Sequence, residues 1–480
     1  MTLVFLTAGY FQNSRPGWNV NSQFALTAAI AERATLRIDA YHDKLHFETG
    51  DKAFFEGHYY CDKSPVTAFL GVPVYFLYRQ VTRLFDLPFS YEDARYWTTW
   101  WTAGLGAAIL AGLLAALLMR RGVAAVPAAR GAALWLAATP LLGYAILFFN
   151  ILPACGLALG GFMLIEPVAR APFAVSRRRL ALGGLLLGLA AWTLNTMAIV
   201  ALGLTVWLAA APMAGGGRGE RLRGAWRRLW PWALGGLAGI AGYFIYIYAL
   251  FGSLGSPYAY EADPFFRTRM AQGLMGATIP RPLVAWLITF HPFQGLFLWF
   301  PLTALALAGC VWNLVSRERG SSRESGLALA IAGAFVLYTS AYFMWWGGWA
   351  YAPRHLLPML ALLGVGLAPW LRARWSRRVV FLVGLAGAVF NFAAVALDPQ
   401  PPPGLPQEAL LQPQLVAHWP SPFLMIQKYF WMGGSTDRNW GTALGLHGPW
   451  CLLPLGLLWV LAWWWLGRCQ DPRTVGESRL

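Results

Sequence analysis

Charge is what this chain has least of. Asp, Glu, Lys and Arg make up 12% of its 480 residues and hydrophobic residues 58%, whereas a soluble domain carries roughly 25% charge. A water-soluble globular protein is excluded. Lysine is scarcer still, with four residues (Lys44, Lys52, Lys63 and Lys428) against 33 arginines. The five cysteines (Cys61, Cys155, Cys310, Cys451 and Cys469) have no paired spacing, which argues against a disulfide framework or a zinc site. There is no P-loop, no GxSxG and no HExxH, so the common nucleotide-hydrolase, serine-hydrolase and zinc-protease signatures are missing. Acidic and basic residues are nearly absent from the apolar runs, Glu166 excepted. Proton-coupled pumps keep ionisable groups at mid-depth, so that class is disfavoured. No internal repeat is visible.

What is present is a series of apolar runs about 15 to 23 residues long, the length of membrane-crossing helices. Eleven spans are expected, at 93–119, 131–149, 150–169, 180–194, 195–211, 230–252, 293–315, 326–346, 355–371, 379–397 and 449–467. The pair 180–194 and 195–211 is basic at both ends, which needs an even number of crossings and so a hairpin at Asn195. Residues 2–12 reach only about 16 Å as a helix, too short for a core of about 30 Å. With no basic stretch before them they do not read as a signal peptide; the expectation is part of a first helix, making about twelve in all. A weakly amphipathic helix is expected over 22–35. The run Val66 to Tyr78, with Pro73 inside it, is expected to lie in the interface.

The net charge of +16 reads as membrane orientation, not as nucleic-acid binding. Arginine clusters at 120–130, 170–179, 218–228, 317–323, 372–378 and 468–479 place 22 basic residues against six acidic ones on one side. The other side holds 15 of each, and all seven histidines. By the positive-inside rule the first side is cytoplasmic. The long loops 13–92, 253–292 and 398–448 then face outward, the last beginning with a stiff proline-rich connector, DPQPPPGLPQ.

The densest polar stretch is Asp39 to Pro65. It carries six acidic residues (Asp39, Asp43, Glu48, Asp51, Glu56 and Asp62), three of the four lysines, and His42, His46 and His58. Crowded titratable groups are the raw material of a chemical site, although the same density could be a solvated loop. Within Asp62-Lys63-Ser64-Pro65, Ser64 suits an N-cap and Pro65 the first helical position. Helix N–H groups beside Lys63 would then form an anion site suited to phosphate; the alternative is a capped helix with a lysine reaching the headgroups. A second place is Ala352-Pro353-Arg354-His355. Arg354 is the only basic residue in WWGGWAYAPRHLLP and could grip phosphate through two parallel hydrogen bonds. It could equally anchor to lipid beside an aromatic belt of Trp345, Trp346, Trp349 and Tyr351. In Tyr260-Glu261-Ala262-Asp263-Pro264, Asp263 reads as an N-cap. His291 and His447 read as loop histidines.

The run TGDKAFFEGHYYCDKSPVTAFLGVPVYFLYR resembles the first outer loop of bacterial polytopic glycosyltransferases of the GT-C type, the protein O-mannosyltransferase-like and aminoarabinose transferase-like groups. FGSLGSPYAY with GATIPRP, HPFQGLFLWFP, GGWAYAPRHLLP and NWGTALGLHGPWCLLPL are similar to later stretches of that superfamily. The resemblance implies an all-α polytopic membrane protein, a bundle of about 12 helices with interfacial helices in a long first periplasmic loop. It implies a sugar carried on a polyprenyl phosphate, an acceptor that is a glycan, lipid or protein, and transfer outside the bacterial cytoplasmic membrane. Lys63 takes the place of the family's phosphate-binding lysine and Asp62 that of the acid before it. Arg354, His58 and His355 are the further donor-phosphate candidates. Many members carry an acid just after the first helix, where this chain has Trp18-Asn19-Val20-Asn21-Ser22-Gln23.

A carboxylate base is required, with Asp62 first and Asp39 and Asp51 in reserve. The base should not be paired with Lys63; in an extended strand, neighbours face opposite sides, which would keep Asp62 off it. No cofactor is expected, and the need for a divalent metal stays open. The alternatives are a transporter or flippase for a lipid-linked glycan, which needs a polar path through the bundle, and a catalytically silent envelope-assembly scaffold.

Overall fold

In the computed structural model, which describes residues 1–169, 175–211, 217–316 and 321–468, every one of the eleven expected spans contains helix. Among the described residues seven helices are long and apolar enough to cross a membrane: Tyr91–Arg120, Ile151–Val168, Gly219–Phe251, Ser321–Ala341, Arg354–Arg372, Arg374–Leu397 and Gly448–Arg468. Met197–Ala209 and Pro301–Val315 are apolar but shorter. The chain is an all-α, multi-pass membrane protein, with one small two-stranded hairpin among the described residues. Arg170, Arg317, Arg319, Arg473, Arg479 and Cys469 lie outside the described residues; Cys61, Cys155, Cys310 and Cys451 are unpaired and buried.

Several boundaries differ from those expected, and proline accounts for two of them. The run 131–149 is two helices, Ala125–Ala137 and Leu141–Ala145, because Pro140 offers no N–H to continue the ladder and disfavours helix before it. The run 293–315 is a single helical turn, Leu296–Trp299, followed by the helix Pro301–Val315 with Pro301 in its first turn. The run 326–346 is helical over Ser321–Ala341. The hairpin at Asn195 is present, between helices Arg177–Thr193 and Met197–Ala209.

Helix α1 is Thr2–Tyr10 and α2 is Trp18–Arg33, the latter starting four residues earlier than expected. A hairpin follows, with β1 (Ala53–Phe55) antiparallel to β2 (His58–Tyr60). Its turn, Glu56-Gly57, has positive φ at both residues, the geometry that matches strand twist. Helix α3 spans Val66–Leu84, 19 residues with Pro73 inside. It buries Thr67, Ala68, Gly71 and Tyr75 and exposes Leu70, Phe76, Leu77 and Leu84. Glu32 on α2 ties the layer together, accepting from Tyr75 (2.5 Å) and Tyr41 (2.8 Å) and pairing with Arg79 at 2.8 Å.

Two helices that flank the site are locked by glycine. An added Cβ at Gly184 would stand 2.0 Å from the Trp232 carbonyl, at Gly188 2.2 Å from Gly236, at Gly235 1.9 Å from Ala181 and at Gly239 2.3 Å from Leu185. The pairs Gly184/Gly188 and Gly235/Gly239 are small residues four apart, the spacing that lets two membrane helices approach backbone to backbone. This contact fixes Arg177–Thr193 against Arg218–Phe251. The first of these leads into Leu194-Asn195-Thr196, the second into the loop that carries Glu261.

At the far end of Tyr91–Arg120, Arg121 is buried between two carboxylates, 2.5 Å from both Glu166 and Glu324, with all three side chains at most 1% exposed. Arg120 lies 3.5 Å from Glu166, and Arg372 donates to the Arg121 carbonyl at 2.8 Å. This sealed cluster joins the ends of four helices.

Candidate functional site

The first outer stretch is positioned by short local bonds. Thr49 donates to the Trp18 carbonyl (2.9 Å), Asn21 to the Glu48 carbonyl (2.8 Å), and the Asp51 N–H to Thr49 (3.0 Å). Gly50 is required because a Cβ there would stand 2.6 Å from the Trp18 ring. The turn carrying Asp51 is thereby pinned to the start of α2. On its other side, Ala53 bridges Glu261 and the Ala262 N–H bonds to the Lys52 carbonyl at 2.9 Å. Stacking of Phe251 on Tyr260, with Phe55 edge-on to both, closes the joint.

These elements enclose a cavity of about 1120 Å³, lined by Asp51, Lys63, Glu261, Arg354 and His355 among others. Lys63 is its hub. Its ammonium lies 3.3 Å from Asp51 and forms a short ion pair with Asp62. The Tyr258 ring stands 5.5 Å away. Burial works against the Lys63 charge, but Asp51 and Asp62 outweigh it and hold its pKa well above the lysine range. Burial pushes the Asp62 carboxyl up, against the pull of Lys63. Burial, then the nearby Asp62 charge, pushes Glu261 up to about 10, and Glu261 and Asp62 share a hydrogen bond. Burial thus raises both carboxyls of this pair, which lie beside Lys63.

Arg354 reaches the same cavity from a distant part of the chain. Gly347, at φ +83°, leaves room for it: a Cβ there would lie 2.9 Å from its Cγ. The guanidinium lies 5.6 Å from the Phe149 ring centre. Among the described residues no carboxylate lies within 4.0 Å of it, so the cavity holds a cation without an anionic partner.

The sequence-derived candidates divide cleanly. Asp51, Lys63, Arg354 and His355 line the cavity. Asp62 is 1% exposed, beneath Lys63. The expectation that Asp62 would point away from Lys63 is corrected: alternation fixes the Cβ directions, but a four-carbon lysine stem folds back onto its neighbour. Asp39 and His58 are not in the cavity. They face each other at 3.0 Å, and Asp39 accepts from the Tyr59 N–H at 2.7 Å. Ser64 is not the N-cap. Pro65 holds that position and the Ser64 hydroxyl turns to the Trp192 carbonyl. The aromatic belt is also corrected, since Trp345, Trp346 and Tyr351 are at most 2% exposed and form core; Trp349 alone is exposed. Asp263 caps its helix, accepting from Phe265 at 2.8 Å. Glu261, Tyr258, Asn21 and Asn150 were missed. The one available signal was that Glu261 is the first acid after a long aromatic stretch. Among the described residues no group of three or more His, Cys, Asp or Glu is placed to hold a metal ion.

Fold and site together define a multi-pass helical membrane protein with a large charged cavity built on its loops. No protein-family profile and no curated protein matches the chain. Among solved structures it is similar to ArnT from Cupriavidus metallidurans bound to undecaprenyl phosphate, with TM-score 0.49 and 17% identity over 82% of this chain and 62% of that one. It is also similar to the oligosaccharyltransferase of Archaeoglobus fulgidus. The apo form gives TM-score 0.41 and 12% identity over 88% and 56% of the two chains. The form with zinc and sulfate gives 0.44 and 14% over 88% and 53%. The chain thus spans less than two thirds of each of these proteins, and a likeness at such identities assigns no chemistry.

Proposed function

We propose that this chain is a membrane glycosyltransferase of the GT-C type, moving a sugar from a polyprenyl-phosphate donor to a glycan, lipid or protein acceptor on the periplasmic face of a bacterial cytoplasmic membrane. The observation that carries the reading is that Lys63 and Arg354 face one large cavity with a carboxylate, Asp51, beside them. Two cations suit a phosphodiester, and Arg354 adds two-pronged geometry. Of the three candidate bases, Asp51 fits best: it faces the cavity and its side chain is 21% exposed, whereas that of Asp62 is fully buried.

The chemistry follows as a single displacement. The donor phosphate takes up Lys63 and Arg354, loosening Asp51 from Lys63; Asp62, with no room to move, keeps the ammonium in place. Asp51 then accepts the proton of the acceptor hydroxyl. The acceptor oxygen bonds to the anomeric carbon as the bond from that carbon to the phosphate oxygen breaks. The electron pair leaves on the polyprenyl phosphate, whose charge the two cations hold, and the anomeric configuration inverts.

The test is binding of undecaprenyl phosphate. Lys63→Ala and Arg354→Ala should each weaken it roughly 10- to 150-fold, the value of one charge-assisted contact, and Arg354→Lys should restore only part. Unchanged dissociation constants in both alanine variants would make the two residues membrane anchors. For orientation, a cysteine at Lys52 should react with an impermeant thiol reagent from outside intact cells, and one at Arg223 only after lysis. The reverse pattern would move the cavity to the cytoplasmic side.

A further inference from the structure

The three closest contacts between a cation and an aromatic ring among the described residues all lie at the end of the bundle that holds Arg121. Arg130 lies over Trp463 at 4.6 Å, Arg378 over Trp375 at 4.6 Å and Arg468 over Trp464 at 3.8 Å. Three helices converge there, Ala125–Ala137, Arg374–Leu397 and Leu453–Arg468. Arg130 is half-buried on the first. Its Nη2 donates to the Trp463 carbonyl at 2.5 Å and would stand 3.1 Å from a Cβ at Gly467, so it lies under the last turn of the third. Arg377, in the first turn of the second, is close enough for its charge to act on Arg130. One turn along, Phe381 sets its ring edge-on to Trp463 at 5.3 Å. The second helix is pressed on the first, since a Cβ at Gly384 would stand 2.8 Å from Leu134. Arg130 thus floors a seam with Arg377 and Arg378 on one side and Arg468 on the other.

Arg130, Arg374, Arg377, Arg378 and Arg468 have no ion-pair partner among the described residues. Like charges gathered at one place, one of them half-buried, call for an anion to complete them. Stacking on an indole holds a guanidinium in place without using its N–H groups, which leaves the planar fork free for phosphate. The surroundings make that phosphate a lipid's. Exposed apolar side chains run from the cations along both helices, Val379, Leu382 and Val389 on the second and Leu457, Leu461 and Trp464 on the third. Their spacing keeps each row on one face. Cations on both sides of the seam suit two phosphates, and basic pockets between membrane helices take such headgroups. We infer that the seam between Arg374–Leu397 and Leu453–Arg468 binds a phospholipid with two phosphates, of the cardiolipin class, held by Arg130 and Arg377 on one side and Arg468 on the other. Of the 16 residues of Leu453–Arg468 only Leu455 and Trp459 are buried, so a lipid in the seam would tie this helix to the body of the protein. The site lies apart from the cavity and does not rest on the glycosyl-transfer reading.

The test is binding of defined ligands to the full-length, delipidated protein in detergent, read by native mass spectrometry and by melting temperature. The probes are cardiolipin, phosphatidylglycerol and inorganic pyrophosphate. Wild type should bind cardiolipin at least about tenfold more tightly than phosphatidylglycerol, the worth of one further charge-assisted contact, and should melt higher with it. Arg130→Gln, Arg377→Gln and Arg468→Gln should each lower cardiolipin affinity about tenfold, and Arg377→Lys should keep part of what Arg377→Gln loses. Arg221→Gln and Arg223→Gln, at exposed arginines on another helix, should leave it unchanged. Equal affinity of wild type for cardiolipin and phosphatidylglycerol overturns the inference, and this arm needs no variant to fold. Unchanged cardiolipin affinity in the three seam variants overturns it as well. Stabilisation by pyrophosphate as large as that by cardiolipin would make the ligand a soluble phosphate and overturn the lipid. An equal loss in the Arg221 and Arg223 variants would mean that diffuse positive charge draws the lipid, and overturns the seam as its site.

Discussion

Two ionic clusters in this protein have nearly the same composition and opposite surroundings. One sets Arg121 between Glu166 and Glu324, with every side chain at most 1% exposed. The other sets Lys63 between Asp51 and Asp62, and there Lys63 and Asp51 keep 16% and 21% of their side-chain surface. In the first cluster nothing can enter, so its charges can only hold helix ends together. In the second an anion can reach the cation, and the carboxylate it displaces can move. The difference lies in access and not in residue type. A buried pair is weak evidence of function by itself; a pair that opens on a large cavity beside an unpaired arginine is a different object.

The sharpest way to break the comparison is to remove one carboxylate charge from each cluster. Asp51→Asn should lower turnover roughly 10²- to 10⁴-fold, the usual worth of a general base, with donor binding retained. Glu166→Gln should leave turnover per folded molecule near normal and cost stability, about 3–5 kcal/mol for breaking a buried pair, read as a fall in melting temperature in detergent. If Glu166→Gln abolished transfer in folded protein while Asp51→Asn did not, the roles assigned to the two clusters would be reversed.

A second change tests whether the helices around the open cluster must touch. Gly235→Leu forces a side chain where the Ala181 carbonyl lies 1.9 Å from the Cβ position. Separating the two helices should reduce both folded yield and donor binding, since one leads to Asn195 and the other to Glu261. Normal binding in this variant would mean that the glycine contact does not set the cavity.

A smaller effect is expected from pH. The Glu261 carboxyl has a folded pKa near 10 against an ordinary value of 4.5, so the folded chain retains a proton that the unfolded chain loses. Stability therefore falls as pH rises above about 4.5 and continues to fall until about 10. Glu261→Gln should remove that slope. The variant should melt higher than wild type at pH 8, with the gap closing toward pH 5; parallel melting curves across this range would show that Glu261 is ionised in the folded protein.

How much of this was legible beforehand depends on how far apart the partners are. Lys63 and Arg354 could be read because each is a rare cation in an apolar setting, and such residues need an anion or a headgroup. Asp51 could be read only as one acid among several, because its distinction from Asp39 is that it faces the cavity, a property of the packed loops. Glu261 stood out only as the first acid after a long aromatic stretch, since its place depends on a bridge to Ala53 some two hundred residues earlier. The contact between Asp62 and Lys63 was misread because a strand rule was applied to a flexible stem. Helix ends were missed where Pro140 and Pro301 interrupt apolar runs that hydropathy treats as continuous.

The most direct measurement is sugar transfer itself, in proteoliposomes containing only this protein and undecaprenyl phosphate carrying radiolabelled glucose, mannose or galactose, with candidate glycan, lipid and peptide acceptors. Label should leave the lipid for an acceptor with the wild type, in inverted anomeric configuration, and remain on the lipid with Asp51→Asn or Lys63→Ala. Transfer at the wild-type rate by both variants, or transfer with retained configuration, would contradict a cavity in which Lys63 holds the phosphate and Asp51 takes the proton.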